Sequence, residues 1–335
     1  MLRIGLIGYT NLCSGLGLFN WDWLHAFGDS ILSVGSGKGP QQVWTDRQLS
    51  TQRPPHVNQI ENYFETYQPD VLLFMETVFN GKLYGIAKRR GIKVVGIPMH
   101  ETRTIVAPWP DLVICTCETA WHKTGGNKAL LFLPIGLDLF PFKLRTGHTF
   151  VMSLGYDGMR DRRQAAVTIR AFCSFDDPDM RMIVNSQTNF PGRIDDPRIE
   201  YRLQNYPEPK DPYKDGDIFL APIAYGGYER TILEAMSCGM PTLTTDADPM
   251  NLFQHDKDFL IQPYKKYEFS QAYVSDTVYN EVSFEAMRDK IEWLLKIPTG
   301  KYSERARAQA VAQSWESGYY KDVWLDALRG DDNLQ

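Results

Sequence analysis

The stretch "AYGGYERTILEAMSCGMPTLTTD", residues 224–246, constrains this chain more than any other. It overlaps "DIFLAPIA", an apolar run of the kind that forms a strand buried on both faces. Gly226 and Gly227 then allow a sharp bend and a close approach of the backbone to a neighbour. Ile232, Leu233 and Met236 space out an apolar helix face, with Glu229 and Glu234 among them. Gly239 is a natural helix stop, and Pro241 cannot continue the helix. "PTLTT" reads as the next strand. Strand, glycine turn, helix and strand in this order make a parallel unit. The helix N-terminus then lies at the carboxyl edge of the sheet, where N–H groups and the helix dipole suit a phosphate.

The same alternation runs through the rest of the chain. "RIGLIGY", "SILSVG", "PDVLLFM", "IKVVGIPMH" and "PDLVICTC" read as strands, and "LFNWDWLHAF", "VNQIENYFETYQ" and "GKLYGIAKRRG" as intervening helices. "ALLFLPIGLD" reads as the last strand of the first half and its exit. Residues 137–148 carry a proline and no periodicity, which marks a linker. The pattern restarts with "TFVMSLG", "RRQAAVTIRAFCSF", "MRMIVNS" and "IEYRLQ" before the quoted segment. Residues 284–296 and 303–328 read as two terminal helices. With 335 residues there is room for two domains. The expected fold is α/β, two doubly wound parallel sheets, with a crevice between them lined by the carboxyl ends of strands.

Composition narrows the function classes. The chain is 43% hydrophobic and 23% charged, so it can build a real core. No apolar run approaches the ~18 residues a membrane span needs. "MLRIGLIGY" is too short an apolar stretch for a secretory signal. Five scattered cysteines argue for a reducing, cytoplasmic setting and against a disulfide framework. Cys115 and Cys117 alternate in "LVICTC" without a second Cys or His pair, so no metal site is expected there. Residues 1–150 carry 14 Lys+Arg against 11 Asp+Glu, and residues 151–335 carry 22 against 30, which gives +3 and −8. A mildly positive first half favours an anionic partner.

Individual motifs carry different weights. Gly5, Gly8, Gly15 and Gly17 have the wrong spacing for a dinucleotide fingerprint, and no acid ends the second strand. Gly15 and Gly17 read either as a loop that brings backbone N–H groups to the crevice or as a plain surface loop. His100 ends "IKVVGIPMH", where a crevice-facing ring and a hydrogen-bonded core ring are both compatible with position. Arg160, Arg162 and Arg163 lie between a strand and a helix. Cations there suit a diphosphate leaving group, and a solvated helix start is the alternative. Asp217, in "DGD", reads as the last polar residue before a buried strand rather than as a metal ligand.

Taken together, "DIFLAPIAYGGYERTILEAMSCGMPTLTTD", "LPIGLDLFPF", "IPMHE", the arginines before "QAAVTIRAF" and "AQSWESGYYKDVW" resemble a GT-B glycosyltransferase close to retaining family 4. The resemblance implies an N-terminal acceptor-side domain over 1–142 and a nucleotide-sugar-binding domain over 143–308. Residues 309–335 would form a helix returning to the first domain, plus a polar tail. It further implies a nucleoside-diphosphate sugar donor, such as a UDP-sugar, with no cofactor and no catalytic metal. Arg163 and Arg160 would hold the donor phosphates, with Arg162 able to replace either, and His100 would sit beside the transferred sugar. Glu234 would grip the ribose diol, with Gly226, Gly227, Tyr228 and Glu229 around the donor. Gly15 and Gly17 would lie near donor and acceptor, and Gly15, Leu16 and Glu76 would face the acceptor.

The family's other motif glutamate falls at Gly226 here, and Ile135 stands where the family often has Asn. The first departure points to a pentose or an unusual hexose as the transferred sugar. A glycan, a small molecule or a hydroxymethylated DNA base are the acceptors to weigh, in a monomer or homodimer. A sugar-nucleotide epimerase and a non-catalytic sugar-nucleotide-binding protein are the rival readings.

Overall fold

A computed structural model describes residues 2–35, 40–76, 78–99, 110–155, 161–190, 192–271 and 274–330. The chain forms two compact units, residues 1–136 with 317–335, and residues 137–316.

In the first unit the strands are β1 (Ile4–Gly8), β2 (Ser30–Val34), β3 (Gln48–Thr51), β4 (Val71–Met75), β5 (Lys93–Ile97), β6 (Leu112–Cys115) and β7 (Lys128–Leu130). Among the described residues they make one parallel sheet in the order β3-β2-β1-β4-β5-β6-β7. β1, β2 and β4 are buried at every position, as central parallel strands covered on both faces must be. Strand β3 is missing from the expectation above because "QLST" is short, polar and mostly half-buried, an edge strand with no hydrophobic signature.

The helices α1 (Gly15–Ala26), α2 (Val57–Tyr67), α3 (Leu83–Arg89) and α4 (Glu118–Lys123) connect these strands. Cys117 is the N-cap of α4, its sulfur accepting from the Ala120 N–H, so this cysteine has a structural role.

In the second unit the strands are β8 (Thr149–Ser153), β9 (Arg181–Ser186), β10 (Ile199–Leu203), β11 (Ile218–Ala221), β12 (Thr242–Thr245) and β13 (Leu260–Ile261). Their order, β10-β9-β8-β11-β12-β13, repeats the topology of the first unit. Helix α5 (Ala165–Cys173) follows β8, and α6 (Arg230–Ser237) follows β11. Phe150, Met152, Ile169, Phe172, Leu220 and Leu243 lie in its core. Gly239 does end the helix region, at φ 80°, and a Cβ there would collide with the Lys143 carbonyl. Asp217 takes the Thr149 N–H on its carboxylate, a structural role.

Two further features depart from the sequence reading. An antiparallel hairpin, β14 (Lys265–Gln271) and β15 (Val274–Glu281), follows β13. A two-stranded ribbon is marginal alone, and this one is anchored: the Asn280 N–H donates to the Ala224 carbonyl, and Phe269 and Tyr279 pack on the Tyr225 ring. Among the described residues the terminal helices number three: α7 (Phe284–Leu294), α8 (Thr299–Ala312) and α9 (Tyr319–Arg329). The segment 303–328, which the sequence suggested was continuous, is interrupted after Ala312 by a 3-10 turn over Trp315–Ser317 and by Gly318, at φ 77°, ahead of α9.

Helix α9 belongs to the first unit. Trp324 is fully buried beside Trp23 and Phe27, and its indole N–H donates to the Phe132 carbonyl at 2.9 Å. The Lys93 ammonium donates to the Leu328 and Ala327 carbonyls, where a cation offsets the negative end of the helix.

Candidate functional site

Strand order reverses in the second unit between β8 and β11, and the loops leaving their carboxyl ends flank that point. Open α/β sheets bind ligands there. The loop after β8 carries the arginines, and the loop after β11, residues 222–229, carries the glycine turn.

The arginines are held from both sides. Asp161 and Gln164 each adopt a positive φ, 48° and 49°, which non-glycine residues avoid. Side-chain bonds compensate. The Asp161 carboxylate accepts from the Ala165 and Ala166 N–H groups and caps α5. Burial pushes its pKa up, and these two donors offset only part of that rise. The Gln164 amide donates to the Pro222 and Asn280 carbonyls and accepts from the Val282 N–H at 2.7 Å. Gln164 thus ties the arginine loop to the loop after β11 and to the base of the hairpin.

Between these anchors Arg162 and Arg163 reach Glu229. Arg162 Nη1 lies 2.5 Å from Glu229 Oε1, and Arg163 Nη1 lies 2.7 Å from Oε2. Arg163 also donates to Thr231 Oγ1, at 3.2 Å, on the first turn of α6. The Glu229 side chain is 2% exposed, against 17% for Arg162 and 10% for Arg163. Glu229 is the N-cap residue of α6, so two guanidinium groups and a helix N-terminus converge. Such convergence suits an anion.

Gly226 belongs to this cluster. A Cβ at position 226 would collide with Glu229 Oε1 and crowd Arg162. The glycine is therefore explained by the passage of a carboxylate, not by a positive φ. Gly227 is buried in the same loop, and the Tyr228 ring packs edge-on against Phe253 at 4.7 Å, so this ring serves the core.

Glu234, the carboxylate that the resemblance assigns to a ribose, lies on α6. It is 5% exposed, and both of its oxygens are engaged. One accepts from the Arg230 guanidinium, one helical turn earlier, and the other from the Tyr213 hydroxyl at 2.6 Å. Burial, and then the adjoining carboxylate, push the Tyr213 hydroxyl well above its ordinary pKa, which keeps it a donor. Arg230 and Tyr213 were missed from sequence. The i, i+4 spacing of Arg230 and Glu234 was a usable signal, and Tyr213 had none.

In the first unit, Gly15, Leu16 and Gly17 form the first turn of α1 rather than a free glycine loop. Ser14 caps the helix by accepting the Gly17 N–H at 3.2 Å, so that donor is already used. Gly17 is a glycine because a Cβ would strike the Asn11 carbonyl. Gly15 is exposed, and Leu16 packs against the core. Glu76 follows β4 at φ 60°, its N–H bonded to the Ile97 carbonyl. The loop after β1 and Glu76 after β4 flank the corresponding reversal point of this sheet. His100 and Arg160 lie outside the described residues.

Comparison with known proteins agrees with this architecture. A model of glycosyl transferases group 1 matches residues 184–275, which include the glycine turn, Glu229 and Glu234. Sucrose-phosphate synthase from Thermosynechococcus elongatus is 14% identical, with a TM-score of 0.69 and 98% of both chains covered. HepE from Anabaena, in complex with UDP and glucose, is 13% identical, with a TM-score of 0.65 over 98% of this chain and 100% of the other. The trehalose-6-phosphate synthase OtsA is 8% identical, with a TM-score of 0.65 over 98% and 99%. No curated protein matches the chain in sequence. The chain has the two-sheet GT-B glycosyltransferase fold.

Proposed function

We propose that this protein transfers a sugar from a nucleoside-diphosphate sugar to an acceptor hydroxyl with retention of anomeric configuration. The observation that carries the proposal is the convergence of Arg162, Arg163 and the α6 N-terminus on one side of the β8–β11 reversal point. The second unit holds the donor and the first the acceptor. UDP is the nucleotide in the similar HepE structure, which supports a UDP-sugar donor.

The chemistry asks little covalent work of the protein. The bond from the anomeric carbon to the diphosphate oxygen breaks as the acceptor oxygen bonds to the same face. The acceptor proton passes to the departing phosphate oxygen. Negative charge grows on the diphosphate, and the arginines stabilise it from fixed positions. Arg160 and His100 keep the roles that family resemblance implies, phosphate contact and sugar contact. The proposed donor contacts at 226–228 are through the backbone. The acceptor is a hydroxyl on a glycan, a small molecule or a hydroxymethylated DNA base. The positive charge of residues 1–150 favours an anionic one.

A thermal-shift panel of nucleoside diphosphates and their sugars tests donor binding. At one hundred times its dissociation constant, the correct donor adds about 2.7 kcal/mol of stability. A flat panel across UDP, GDP, ADP and their sugars, with no hydrolysis of any, would remove the proposal.

A further inference from the structure

Glu229 raises a physical problem that the proposed reaction leaves open. A site for a doubly charged diphosphate gains from every unpaired cation, yet here both guanidinium groups touch a protein carboxylate. Among the described residues, two arginines and one glutamate leave a single net positive charge in this ion-paired group. The carboxylate is no accident of an exposed loop. It is 2% exposed, and the main chain opposite must be glycine at 226 to admit it. The turn is built around this group. Glu229 is also unlike an ordinary N-cap, because no cap hydrogen bond joins its side chain to the helix. Its side chain goes to the arginines instead.

We propose that Glu229 is a built-in counter-anion that positions Arg162 and Arg163 and caps the affinity of their site for diphosphate. The inference rests on the diphosphate site proposed above and concerns how that site is tuned. In the unliganded protein the carboxylate pairs with two largely covered guanidinium groups that would otherwise repel each other. An arriving diphosphate shares the arginines with it instead of meeting two bare cations. The product diphosphate is held by the same reduced charge, so it can leave. Glu229 is thus a positioning residue that acts through the arginines.

The test is calorimetric titration of inorganic pyrophosphate into the full chain, the wild type beside Glu229→Gln and Glu229→Asp. Glu229→Gln removes the charge at nearly constant volume. The pyrophosphate dissociation constant is expected to fall about tenfold or more, with turnover falling as product release slows. Glu229→Asp keeps the charge, and its affinity is expected to stay within about threefold of the wild type.

A purely structural role moves the readout the other way, because arginines that lose their anchor bind an anion more weakly. Unchanged or weaker binding by Glu229→Gln therefore overturns the inference while leaving the diphosphate site in place. No pyrophosphate or nucleoside-diphosphate binding by the wild type defeats both. If Glu229→Gln is insoluble alone, refolding with pyrophosphate is expected to recover it, since the anion supplies the missing charge. Failure of that rescue also counts against the inference.

Discussion

Replacing Arg163 with alanine is expected to lower turnover by about 10²–10³, the usual effect of removing one preorganised group that stabilises developing negative charge. Arg163 is chosen because its guanidinium bridges Glu229 and Thr231, one on each side of the start of α6. Its loss removes a cation and loosens the helix N-terminus in one step. The fold should survive, since Arg162 remains on Glu229 and the buried carboxylate keeps one cationic partner. Arg163→Lys should recover part of the rate, because it restores the charge without the planar fork. Steady-state rates with the donor identified by thermal shift check this. Near-normal turnover in Arg163→Ala would mean the diphosphate lies elsewhere.

Replacing Glu234 with alanine is expected to act on stability first. Arg230 is 4% exposed and Tyr213 is 2% exposed, and Glu234 joins the two. Removing it leaves a buried guanidinium without its carboxylate. Breaking one side of a buried ion pair costs about 3–5 kcal/mol. Denaturant unfolding should show that loss as a lower midpoint with an unchanged slope. Glu234→Gln should lose less, since its carbonyl oxygen still accepts one bond. A ribose-binding role predicts a different result, with donor affinity falling sharply in Glu234→Ala while the unfolding midpoint stays where it was. The two measurements together separate a residue that builds the site from one that touches the ligand.

Most of the fold was legible in the sequence for a simple reason. Central parallel strands are continuous apolar runs, and "RIGLIGY", "PDVLLFM" and "DIFLAPIA" are of that kind. What escaped was held by other forces. The edge strand β3 has no hydrophobic signal, and the β14–β15 hairpin depends on Asn280 meeting Ala224, 56 residues earlier. The break before α9 runs through a 3-10 turn over Trp315–Ser317 and the positive φ of Gly318, neither of which has a hydrophobic signature.

The site was legible in part. The arginines and the helix start could be placed near one another, because both follow strands that adjoin in a doubly wound sheet. The carboxylate between them could not be placed. Arg162 and Glu229 are 67 residues apart, and only the packed loops bring them together. Gly226 looked like a missing motif glutamate, whereas the structure shows the space beside it filled by the Glu229 carboxylate. Glu234 looked like a ribose-binding carboxylate because it aligns with the second motif glutamate of the family the chain resembles, and its bonds to Arg230 and Tyr213 could not be read from that alignment.

The proposal that Arg162 and Arg163 hold a diphosphate is tested most directly by titrating UDP into the wild type and into the double variant Arg162→Ala/Arg163→Ala at low and high salt. Binding by the wild type that weakens as salt rises, and that disappears in the double variant, is the predicted result. UDP binding that is equally tight in both proteins, or indifferent to salt, would contradict it.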